Sequence, residues 1–129
     1  MPEVSIVAVL VGAVAAFIIG FVYYTMLGER LAEVSEAAAA GEQMPPWQIA
    51  VEFLRCLVLA AVVAGLAAQA GVDDWSGGLI LGAVLWVGFP LVLWIGAVVH
   101  EKTPIQLAAI HAGDWLAKLL VLGLIAATL

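Results

Sequence analysis

Four apolar stretches, each long enough to cross a bilayer, constrain this chain more than any other feature. Val4–Leu27, Trp47–Ala70, Trp75–Val99 and Pro104–Leu129 each supply the roughly 20 apolar residues that a helix needs to span ~30 Å of hydrocarbon. Lipid cannot satisfy an exposed peptide group, so such spans are helical. The first and third carry no charge, the second is interrupted by Glu52 and Arg55, and the fourth holds His111, Asp114 and Lys118. Of the 129 residues, 66% are hydrophobic and 11% charged. A soluble domain this small has too little interior to hide that much apolar surface. Water-soluble and disordered classes are therefore excluded. The predicted fold is an all-α membrane protein, a four-helix transmembrane bundle of antiparallel hairpins forming one domain over residues 1–129, with both termini on the same side.

The connections mark the limits of the spans. Gly71-Val72-Asp73-Asp74 is a short polar turn, and Glu101-Lys102-Thr103-Pro104 is another, with Pro104 suited to a first helical turn. Links this short make neighbouring helices antiparallel. The connection over residues 28–46 is longer. Leu27, Leu31 and Val34 fall on one helical face, with Glu29, Glu33 and Glu36 mostly elsewhere. That predicts a short amphipathic helix ended by Gly41 and Pro45-Pro46. Its acidic face reads first as a solvated linker and second as a partner or membrane-surface contact. Arg30 and Lys102 lie on the side of the two longer connections and no Lys or Arg on the other. The positive-inside rule then puts residues 28–46 and 100–103 in the cytoplasm and both termini outside. Trp47 and Trp75 stand at span starts as interfacial anchors, and Tyr23 and Tyr24 near the end of the first span read the same way. Trp86, Trp94 and Trp115 lie deeper and read as packing residues. Glu3 and the lack of Lys or Arg before Ser5 argue against a signal peptide, so the first span is expected to be retained.

Several functions are disfavoured outright. A net charge of −6 with only four Lys and Arg cannot make a nucleic-acid surface. The single cysteine, Cys56, has no intrachain disulfide partner and reads as a small apolar residue. No nucleophile–base set, phosphate-cradling glycine loop or catalytic carboxylate pair is present, so no catalytic residue and no cofactor is expected. His111 and Asp114, with Glu52, are ligand types, but they lack a recognised metal spacing and no metal is expected. His100 beside Glu101 reads as a solvated end residue.

Small residues recur at helical spacing. Ala8, Gly12, Ala16 and Gly20 fall every fourth residue in the first span, Gly78 and Gly82 in the third, and Ala109, Gly113 and Ala117 in the fourth. Such stripes let backbones approach closely. The simpler reading is packing within the bundle, and the sharper one a homodimer seam. Pro90 in the third span is expected to kink it.

Charges inside the spans carry the functional question. His111, Asp114 and Lys118 share one face at i, i+3, i+7, and Gln48, Glu52 and Arg55 do so at i, i+4, i+7. Spans two and four start on the same side. From it, Glu52 lies at ~8 Å, His111 at ~10 Å, Arg55 at ~12 Å and Asp114 at ~15 Å. A cluster of Glu52, Arg55, His111, Asp114 and Lys118 is thus reachable across the bundle, with two acids against two bases. Asp114 is expected at its centre, against Arg55 across the bundle and Lys118 along its own helix. Unpaired intramembrane charge costs at least ~3 kcal/mol, so such residues point either to function or to a fully paired structural network.

Three stretches carry a family resemblance: Gly20-Phe21-Val22-Tyr23-Tyr24-Thr25-Met26-Leu27-Gly28, Gly82-Ala83-Val84-Leu85-Trp86-Val87-Gly88-Phe89, and Glu101-Lys102-Thr103-Pro104 followed by Ile110-His111-Ala112-Gly113. In these the chain resembles the bacterial domain of unknown function 1761 family. It departs from the family pattern in carrying His111 in place of Asn and Asp114 in place of an aromatic residue. The resemblance implies a small four-span protein of the bacterial inner membrane and supplies no activity. The leading functional reading is a transport or permeation-type protein whose polar cluster handles a proton, ion or small polar solute. The alternative is a non-catalytic scaffold or accessory subunit that meets a membrane-protein partner or its own copy through small-residue faces. A lipid-acting membrane enzyme is a weaker third.

Overall fold

In the computed structural model, which describes residues 4–34 and 45–129, every regular element among those residues is helical. The first span is α1 (Ile6–Met26), followed by the short α2 (Gly28–Val34). The second is α3 (Pro46–Ala70), the third α4 (Trp75–Glu101) and the fourth α5 (Ile105–Thr128), all four spans being long and apolar enough to cross a membrane. Helix ends fall where local chemistry sets them. Ser5 caps α1 by accepting from the Ala8 amide, and Asp74 caps α4 by accepting from the Gly77 amide. Gly71 ends α3 at φ 69°, with its own amide and that of Val72 returning to the Ala68 and Ala67 carbonyls. Lys102 ends α4 in the same left-handed region, at φ 57°.

Helix α4 is not continuous. A π-helical turn over Val87–Leu91 interrupts it around the buried Pro90. Proline has no N–H to donate and its ring crowds the carbonyl one turn back, so the turn widens there. The expected distortion at Pro90 is thus a π turn.

Helix α5 is the hub and touches α1, α3 and α4. Its apolar window is 44% buried, against 17–22% for the other three, although its hydropathy is the lowest of the four at 1.5. The least apolar helix is thus the one screened from lipid, the arrangement that intramembrane charge requires. Gly78 and Gly82 of α4 lie so close to Gly123 and Leu119 of α5 that a Cβ on either would strike the facing backbone carbonyl. Ala8, Gly12 and Ala16 of the first stripe are buried. Ala13, Ala16, Cys56, Ala60, Val63, Leu119 and Leu122 form the core between α1, α3 and α5. The fourth-span stripe differs from expectation: Ala109 is exposed and Ala117 half-buried, and the close α4 contact is made by Gly123. The described chain ends meet where Ser5 Oγ donates to the Leu129 carbonyl at 3.3 Å. Within the long connection, α2 exposes Glu29, Arg30 and Glu33 and half-buries Leu31 and Ala32. Glu36 and Gly41 lie outside the described residues.

Candidate functional site

A side chain on a helix leans toward the N-terminus, so Lys118 reaches back one turn along α5 toward Asp114. Its Nζ donates to Asp114 Oδ2 at 2.9 Å. Asp114 is 4% exposed and Lys118 7%, the two charged side chains buried among the described residues. Lys118 Nζ also lies 3.9 Å from Glu52 Oε1 on α3. Glu52 Oε2 in turn accepts from Arg55 Nη1 at 2.6 Å. Ion pairs therefore step outward from Asp114 through Lys118 and Glu52 to Arg55, whose side chain is 63% exposed. Cys56 Sγ, buried beside this path, lies 3.9 Å from Glu52 Oε1.

The expected Asp114–Arg55 contact is corrected by this arrangement. Among the described residues Arg55 pairs with Glu52 alone. The buried face of α3 carries Cys56, Ala60, Val63 and Ala67. Arg55 is one residue, or about 100°, away from that face. Similar depth brought the two stripes near one level without turning Arg55 inward.

Gly20 makes room for the ion pair. A Cβ there would lie 3.1 Å from Lys118 Nζ and 3.9 Å from Asp114 Oδ1. That Oδ1 is buried and has no hydrogen-bond partner among the described residues, and Trp94 Nε1 shares this condition. The residues lining the apolar groove between Leu91–Val99 and Ile105–Ala112 do not include Asp114. Nor do those of the cavity bounded by Ser5, Ala64, Asp73 and Ala127. Among the described residues no three His, Cys, Asp or Glu side chains gather to hold a metal ion.

His111 sits apart from the ion pairs. Its Nδ1 is 2.7 Å from the Tyr24 hydroxyl, and its ring stacks on Trp94 with centroids 4.8 Å apart and an interplanar angle of 13°. Tyr23 donates to the Ile110 carbonyl at 2.6 Å, and Trp86 Nε1 to the Ala112 carbonyl at 2.8 Å. Neighbouring helices thus place donors on α5 carbonyls, using the lone pair left free by the helical ladder. Gly113 lies against this contact, since a Cβ on it would strike the Tyr23 hydroxyl. Tyr23 and Tyr24 accordingly tie α1 to α5. Trp94 was read as a deep packing residue, and it packs on the His111 ring, whereas Gly123, Tyr23 and Tyr24 were not singled out for these roles in the sequence.

Four membrane-length helices, the last carrying a buried Asp–Lys pair, define a small multi-pass helical membrane protein. The chain matches the family described as Protein of unknown function (DUF1761) over residues 7–127, and it belongs to that family. No curated protein and no solved structure matches it.

Proposed function

We propose that this chain is a non-catalytic scaffold or accessory subunit of a bacterial inner-membrane assembly. The observation that carries the reading is where the charge network ends. It runs from Asp114 to the lateral face of α3, where Arg55 is 63% exposed at a depth of about 12 Å from Trp47. A permeation site needs a polar route to water, and Asp114 is only 4% exposed. A lateral charge at membrane depth instead suits contact with another transmembrane segment. Native electrophoresis of gently solubilised membranes tests this. The expected result is migration well above the 13.4 kDa of one chain. A species of one chain only, at native expression level, would overturn it.

A second reading rests on Asp114 Oδ1, which is buried without a donor among the described residues. A carboxylate oxygen left open can accept a proton or a small cation, which keeps the transport reading in view. Proteoliposomes carrying the purified chain decide between the two. Proton or cation flux that Asp114→Asn abolishes would favour transport.

A further inference from the structure

We infer that the partner met by the Glu52–Arg55 face is a second copy of this chain, paired about a two-fold axis along the membrane normal. This rests on the assembly reading above and names the surface and occupant. Gln48, Val51, Arg55, Val58 and Val62 are all exposed, and they follow one another at intervals of three, four, three and four residues. That spacing fits the seam of a left-handed helix pair. Half-buried Gly65 continues the series, with no atom of the described residues within 4 Å of a Cβ built on it, and exposed Gln69 follows. A glycine on open helix surface leaves space for another backbone. The seam therefore has β-branched aliphatic knobs, one small residue, and one charged pair at membrane depth.

The pair itself selects the occupant. Glu52 and Arg55 are joined at 2.6 Å and sum to zero charge. A neutral pair attracts an anionic lipid headgroup weakly, whereas it is complementary to its own two-fold image. In a parallel pair of α3 helices the two Arg55 side chains meet across the axis, and each is flanked by the Glu52 of its own copy and that of the other. The four groups then form a closed square that takes the exposed guanidinium out of lipid. Lys118 stays on the inner side of Glu52, at 3.9 Å, which couples the seam to the bundle interior.

The test uses the full chain in phosphatidylethanolamine–phosphatidylglycerol vesicles. In a Cys56→Ala background, Val58→Cys on the seam is expected to form an oxidative crosslink between copies. Val84→Cys, 61% exposed on α4, is expected to stay monomeric. Energy transfer between donor- and acceptor-labelled chains supplies the second measurement. Glu52→Arg alone and Arg55→Glu alone are expected to lose transfer to the random-encounter level, and their mixture to restore it, because an all-Arg face fits only an all-Glu face. Absence of the Val58→Cys crosslink overturns the inference even where the charge variants fail to fold. A mixture no better than either variant also overturns it, as does wild-type transfer unchanged in Arg55→Glu with only phosphatidylglycerol affinity lost. In those cases a large native complex would leave the assembly reading standing with a different partner, whereas a single-chain species in native membranes would remove both.

Discussion

Lys118 and Asp114, one turn apart on α5, share a 2.9 Å ion pair in which both side chains are buried. Desolvation of two charges is offset only by their mutual attraction, so removing one partner is far worse than removing both. Asp114→Ala strands Lys118 with Glu52 as the remaining acid, 3.9 Å away. The expected destabilisation is ~3–5 kcal/mol, whereas Asp114→Leu combined with Lys118→Met is close to neutral. Thermal unfolding in detergent measures both. A single Asp114→Ala variant that melts like the wild type contradicts the pairing.

Gly20 lies where any side chain would press on Lys118 Nζ, with 3.1 Å available to a Cβ. Gly20→Ala is expected to be tolerated, because a lysine terminus can move. Gly20→Val is expected to disrupt the ion pair and cost ~1–3 kcal/mol by overpacking. In the Asp114→Leu/Lys118→Met background the flexible Lys118 terminus is gone. The penalty there should change by ~0.5 kcal/mol or more, since contacting sites couple. Equal penalties in both backgrounds would show that Gly20 is independent of the pair.

Particular residues show how far the sequence can be read. The four spans were legible because hydropathy reports burial in lipid directly, and they end within two residues of expectation. Asp114–Lys118 was legible because i, i+4 spacing on a helix fixes both depth and direction. Arg55 was not, because rise per residue gives its level and not its azimuth against neighbouring helices. The same limit explains Ala109, which is exposed while Gly123 meets Gly78. Tyr24 was read from its place near a span end. Its hydroxyl in fact belongs to His111, a residue 87 positions further along, and no local pattern encodes such a pairing.

Tyr24 and His111 join α1 to α5 at 2.7 Å. A double-mutant cycle of Tyr24→Phe and His111→Phe is expected to give a coupling of ~0.6 kcal/mol and at most ~1.7, the range for interhelical hydrogen bonds in membranes. Tyr23→Phe paired with His111→Phe is the control, because Tyr23 bonds the Ile110 carbonyl and not the ring. Its coupling is expected near zero. Stability in detergent reads both cycles, and equal couplings would remove the specific role of Tyr24.

The positive-inside rule leads to the expectation that Arg30 and Lys102 face the cytoplasm. In a Cys56→Ala background, Lys102→Cys is expected to resist an impermeant thiol reagent in intact cells and to react after lysis. Thr128→Cys, also exposed, is expected to react from outside. The reverse pattern would invert the protein in the membrane without altering the fold.

The glycines give the sharpest graded prediction, because their surroundings differ while the substitution stays the same. A Cβ on Gly96 meets nothing within 4 Å, so Gly96→Ala should gain only helix propensity, up to ~1 kcal/mol. A Cβ on Gly12 would lie 2.9 Å from Leu122 Cδ2, the end of a flexible side chain, and 3.3 Å from Ala60 Cβ. Leu122 can rotate at modest expense, so Gly12→Ala is expected to be mildly destabilising. Gly78 and Gly123 face backbone, each against the other's carbonyl, and backbone can yield only by separating α4 from α5. Both Gly78→Ala and Gly123→Ala are therefore expected to lose ~1–3 kcal/mol or more. Their effects should not add, because once the helices part for one methyl group the second finds space already open. Melting temperatures in one detergent should rank Gly96→Ala at or above wild type, Gly12→Ala below it, and Gly78→Ala and Gly123→Ala lowest. A double variant as stable as the worse single would establish the direct contact, and strict additivity would refute it.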